Sequence, residues 1–177
     1  MTALICGSFA YDTIMTFDGK FKDHIMPDRV HMLNVAFLVP ELQRNFGGTA
    51  GNIIYNMNLL GGDGLAMGTV GADFGGYREW LKKHGINDKY VKTIDSEYCA
   101  QAYITTDMED NQITAFHPGA MNHAHTQSVP TNEGIKRGII APDGRDGMIE
   151  HARQFADAGI PFMFDPGQGL PMFDGND

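Results

Sequence analysis

The chain has 177 residues, 42% apolar and 20% charged, a balance that argues against wholesale disorder and provides one domain with enough apolar surface for a core. Acidic residues outnumber basic ones 22 to 13, for a formal charge of −9, and the densest basic run, Arg78 to Lys83, is short. Nucleic acid and anionic membrane surfaces would be repelled on average, so neither is an expected partner, while a local pocket for a small anion stays open.

The opening MTALICGSFAYDTIM lacks a basic leader region, and nowhere do about 18 apolar residues run together. A cytoplasmic location is therefore expected. Cys6 and Cys99 fall in apolar, strand-like stretches without CxxC spacing and read as buried, reduced thiols.

In chain order, residues 3–9 read as a buried strand by length and composition. From 13 to 40 the character changes: TIMTFDGKF and LNVAFLV are strand-like, separated by a polar loop with His24, Pro27, Asp28 and His31, and together suggest an antiparallel excursion. FGGTAGNIIYNMNLLGG (46–62) follows. Its Ile53, Ile54, Met57 and Leu60 fall at offsets 0, 1, 4 and 7, giving a helix one apolar face, and Gly61-Gly62 stop it. Residues 65–70 form the next strand. Tyr77, Trp80, Leu81 and His84 recur at offsets 0, 3, 4 and 7, predicting a helix over 76–84 whose Arg78, Lys82 and Lys83 solvate the outer face.

Residues 99–106 and 112–117 are extended runs joined by a polar turn, a hairpin signal that pairs naturally with the earlier excursion. Residues 138–141 give a short strand. A helix carrying Met148, Ile149, Ala152, Phe155 and Ala156 closes at Gly159, and 160–164 enter another strand ending in Asp165-Pro166-Gly167. Strands alternating with amphipathic helices imply an α/β fold, a parallel sheet covered on both faces, with a smaller antiparallel sheet inserted. No helix follows the last strand to cover it, so the sheet is expected to continue, in a longer natural protein or through a second chain.

Ligands of open parallel sheets gather at the carboxyl ends of strands, where chain order puts Asp12 after strand one, Gly47-Gly48 with Asn52, Asp73 and Asp165. Asp12 has two oxygens to accept hydrogen bonds from neighbouring hydroxyls, as on a sugar, or is a solvated turn carboxylate. Asn52, in a helix's first turn, offers an amide to a ligand or caps the helix. Gly47-Gly48 let a backbone approach closely or form a hinge, or make a plain tight turn. There is no GxxxxGK, and no GxGxxG follows the first strand. His123 and His125 form an HxH pair without a neighbouring Cys, Asp or Glu to complete a metal set, and no Ser-His-Asp arrangement is legible.

Gly47, Gly48, Asn52, Gly61 and Gly71 together resemble the first motif of the ribokinase-like PfkB carbohydrate kinases, with Ile54 where that family prefers a small residue. GSFAYD (7–12) and GTVGADFGG (68–76) extend the likeness, and NQITAFHPGAM (111–121) and FDPGQGLP (164–171) resemble the bacterial adenosine kinase-like branch. The resemblance implies a three-layer α/β sandwich with a β-sheet lid, residues 1–177 being the N-terminal part of one kinase domain and the lid segments lying at about 13–40 and 99–117. It implies Asp12 and Asn52 as substrate hydroxyl contacts, Gly47-Gly48 as the lid hinge, and Phe37 and Phe116 as lid aromatics that meet a purine or sugar face or belong to the core.

The implied reaction is ATP- and Mg-dependent phosphorylation of a nucleoside or sugar, foremost the 5′-hydroxyl of adenosine. Alternatives are a ribokinase- or fructokinase-like sugar kinase, or a truncated nucleoside-binding module. A homodimer through the lid is conceivable. The family's Gly-Ala-Gly-Asp motif, which supplies the general base, and its nucleotide site are missing from these 177 residues, so no catalytic residue is expected here and the chain alone is expected to be inactive.

Overall fold

The computed structural model describes residues 2–175. The chain runs β1 (Ala3–Cys6), β2 (Ala10–Thr16), β3 (Glu41–Gly47), α1 (Thr49–Leu59), β4 (Gly64–Gly71), α2 (Gly75–Lys83), β5 (Tyr90–Ile94), β6 (Ala100–Thr106), β7 (Gln112–His117), β8 (Arg137–Ile140), α3 (Arg145–Asp157) and β9 (Phe162–Phe164). Short 3-10 turns join several of these.

Five strands form a parallel sheet in the order β5-β4-β1-β8-β9. Strand alternation sends successive β1 side chains to opposite faces. Leu4 and Cys6 pack with Met67, Ile140, Met148 and Phe155 on the α3 side, whereas Ile5 joins Phe9, Ala50, Ile54, Val70, Tyr77 and Leu81 beneath α1 and α2. Both faces of the sheet are thus covered, as the alternation of strands and helices implies. A second, mixed sheet, β3-β2-β6-β7, stands apart: β2 pairs antiparallel with β3 and parallel with β6, and β6 antiparallel with β7.

Several elements differ from the sequence reading. The first strand stops at Cys6 rather than residue 9, and Ala10 already belongs to the second sheet. LNVAFLV is not a strand: it follows the 3-10 turn Pro27–Met32, and Phe37 folds back onto Phe17 and Phe21, with ring centroids 4.8 and 5.0 Å away. The strand is instead Glu41–Gly47, every residue of which except Gly47 is exposed, so it carries no apolar alternation to announce it. The second sheet accordingly draws on residues 10–47 and 100–117 rather than 13–40 and 99–117. β5 was not anticipated, and α1 buries only Ala50, Gly51 and Ile54, with Leu60 of the expected apolar face 88% exposed.

Candidate functional site

Asp12 does not cap the first core strand: it sits within β2, on the mixed sheet. Pairing partners share a face, so β2's register with its neighbours sorts the sheet's side chains. Tyr11, Arg44, Phe46 and Gln101 share one face; Asp12, Asn45, Gly47, Ala102 and Phe116 share the other.

The first of these faces is pinned to the core. The Tyr11 hydroxyl donates to the carbonyl of Asp73 at 2.9 Å, and the Phe46 ring stacks on Tyr77 with centroids 4.6 Å apart. Arg44 lies over the Tyr11 ring at 3.8 Å and pairs with Asp73 at 3.6 Å. The Asp73 carboxylate also accepts from the Cys99 amide at 2.8 Å and from Gln101 at 3.4 Å, so it is a bracket between the two sheets rather than an open ligand group. Asp165 is exposed and turns back on the Gly167 amide at 3.0 Å.

The second face is open. The half-buried Asp12 carboxylate makes no hydrogen bond and no ion pair among the described residues, and burial raises its pKa. Gly47 gives it room, since a Cβ there would overlap the Asp12 oxygen Oδ2. Next in the chain, Gly48 has φ of 88° and is held so close to Ser8 and Ala10 that a side chain would lie 2.5 Å from the Ser8 carbonyl; both demands exclude any other residue. Tyr77 donates to the Gly47 carbonyl at 2.9 Å, tying this junction to α2.

α1 begins at once, and its first amides are met from within the chain. Thr49 donates to the Ser8 hydroxyl at 3.1 Å and Ala50 to the Ser8 carbonyl at 2.9 Å, while the Ser8 amide donates back to the Thr49 hydroxyl at 3.0 Å. Asn52 is exposed one turn along, its side chain beside Ile53, Asn56, Met57 and Leu60 in a shallow surface groove that does not include Asp12. Its side-chain amide makes no hydrogen bond among the described residues. The structure therefore brings Asp12 and Gly47 into contact, with Gly48 adjoining, while Asn52 lines a groove along α1.

Of the two lid aromatics, Phe116 is 53% exposed on the Asp12 face, while Phe37 is enclosed by Phe17, Phe21 and His24. His123 faces Glu97 at 3.4 Å. No group of three or more His, Cys, Asp or Glu that could hold a metal ion occurs among the described residues. No helix among them is long and apolar enough to cross a membrane.

A parallel sheet covered on both faces, joined through two glycines to a small mixed sheet that carries an unpartnered carboxylate, defines the class: an α/β domain with an inserted β-sheet. The description "pfkB family carbohydrate kinase" matches residues 12–137, and the chain belongs to that family. It is 30% identical over 142 residues to the nucleoside kinase of Methanocaldococcus jannaschii, covering 79% of this chain and 46% of that protein. The nucleoside kinase of Burkholderia thailandensis in complex with inosine superposes with a TM-score of 0.85 at 50% identity, over 98% of this chain and 55% of the other. Ribokinase from Thermotoga maritima, 16% identical with a TM-score of 0.73, shares the fold. The chain spans about half the length of the curated relatives it matches.

Proposed function

We propose that this chain is the substrate-holding part of an ATP-dependent nucleoside kinase, with adenosine or inosine as the acceptor. The observation that carries the reading is Asp12: a half-buried carboxylate, left without a partner beside a glycine, is what a pair of sugar hydroxyls requires. Adding weight, the B. thailandensis nucleoside kinase was solved with inosine and with ADP-inosine.

In this reading Asp12 accepts the hydroxyls, and Gly47-Gly48 let the mixed sheet close over the ligand. Closure excludes water, which would otherwise compete as the phosphoryl acceptor. Phe116 meets the base, and Asn52 comes to the ligand from α1 on closure. ATP supplies the phosphoryl group, and positioning of the acceptor is this chain's share of catalysis. Magnesium would arrive with the nucleotide, held chiefly by its phosphates and waters. The general base and nucleotide site lie outside these 177 residues, which contain no Gly-Ala-Gly-Asp.

Isothermal titration of the chain with inosine and adenosine, alongside an ATP-dependent phosphorylation assay, tests this. The expected result is weak nucleoside binding without turnover, reduced about tenfold or more in Asp12→Ala, the loss of a charge-assisted hydrogen bond. Equal affinity in wild type and Asp12→Ala removes the basis for the site. Turnover by the isolated chain contradicts the assignment of the base elsewhere.

A further inference from the structure

Asn45 stands directly opposite Asp12 in the antiparallel β2–β3 pair. Partners of this kind have Cβ atoms about 4.5–5.5 Å apart with side chains on the same face. Asn45 is exposed and its side chain, like that of Asp12, makes no hydrogen bond among the described residues. Along β3 on that face its neighbours are Gly47, which has no side chain, and Gln43, whose cross-strand partner is the apolar Ile14. Asn45 is thus the β3 carboxamide directly opposite Asp12, with Gln43 one pair further along.

The pairing continues across the sheet. Asp12 is level with Ala102 of β6, and Ala102 with Phe116 of β7, so Asn45, Asp12, Ala102 and Phe116 form one row across all four strands. At the usual strand spacing of about 4.8 Å the row is about 14 Å long. It is polar at one end, floored by a small buried residue in the middle, and aromatic at the other. A nucleoside has the same order of chemistry and fits within that length.

An ionised carboxylate only accepts hydrogen bonds. A vicinal hydroxyl pair offers two O–H donors, which Asp12 can take, and oxygen lone pairs, which it cannot serve. A carboxamide at the next position provides the missing N–H donor. We infer that Asn45 is a second binding residue for the sugar of the substrate, donating from the lid to the hydroxyl that Asp12 accepts from, and that the Asn45–Asp12 pair selects ribosides over deoxyribosides. This rests on the nucleoside reading of the site.

Titration of inosine, 2′-deoxyinosine and 3′-deoxyinosine into wild type, Asn45→Ala, Asn45→Asp and Asp12→Ala tests the inference, with thermal melts confirming that each variant folds. Asn45→Ala is expected to weaken inosine binding about tenfold, in keeping with one hydrogen bond, and to leave unchanged the affinity for the analogue that lacks the contacted hydroxyl. Asn45→Asp should lose more, because it sets two carboxylates side by side. Full inosine affinity and undiminished riboside preference in Asn45→Ala, with binding lost in Asp12→Ala, overturns this role while sparing the site. Unchanged binding in Asp12→Ala, or no nucleoside binding by the wild type, overturns both.

Discussion

Two buried aspartates show how strongly surroundings decide what one side chain contributes. Asp143, just beyond β8, is 3% exposed; one of its oxygens takes the Gly144 amide at 2.9 Å and the other has no partner among the described residues. Burial raises its pKa to about 7. Unfolded, it ionises near pH 4, so between about pH 4 and 7 the folded chain binds one more proton than the unfolded chain. Stability from this group is complete below pH 4 and falls as pH rises through that window, by about 1.4 kcal/mol per pH unit at most. Urea unfolding from pH 4 to 8 should show this slope lessened in Asp143→Asn; an unaltered slope would refute the buried proton. Asp107 runs the other way. Burial alone would raise it, but hydrogen bonds from the Phe21, Asn111 and Glu109 amides and the Asn111 side chain hold it at about 2, so its stabilisation is complete above pH 4 and is lost towards pH 2. At this scale the sequence singles out Asp12 as an acid but puts it after the first core strand, whereas it lies within β2. Asn45 is not singled out, because only strand register shows that it stands opposite Asp12.

The junction between the two sheets is tied down from both helices beside it. Tyr77 projects from α2 to the Gly47 carbonyl, and Gly51 of α1 leaves the space its hydroxyl occupies: a Cβ at 51 would overlap that oxygen. Tyr77→Phe should cost about 1–2 kcal/mol by leaving a buried carbonyl unpaired. Gly51→Ala should cost about 1–3 kcal/mol through overpacking. The double variant should fall short of the sum, since both act on one contact. Denaturant unfolding of the three proteins measures this, and strict additivity would show that the two residues act separately. α1, α2 and α3 were readable because apolar side chains recur at the helical period. β3 was not, since its residues 41–46 are polar or partly exposed and carry no apolar alternation, while the apolar run 33–39 that imitates a strand spends Phe37 on a local aromatic cluster.

Across the whole molecule, the mixed sheet ends in two exposed edge strands, and the segment before β3 displays Met26, Val30, Met32, Leu33 and Leu38, the last 85% exposed. Isolated apolar residues at a surface need no explanation, whereas several exposed within one short segment call for one. We propose that two copies meet through the lid. Sedimentation should give a dimer that Leu38→Glu converts to monomer; a monomer in wild type at micromolar concentration would end the proposal. By itself the sequence determined the alternation of strands and helices, the glycine pair and the acid near it, because periodicity and special backbone conformations are local properties written into neighbouring residues. Only the tertiary structure decided that Asp12 belongs to the mixed sheet, that Asp73 is consumed as a bracket, and that Asn45, Asp12, Ala102 and Phe116 form one row. Those facts depend on pairing between strands up to about a hundred residues apart, where a shift of one residue turns every side chain to the opposite face.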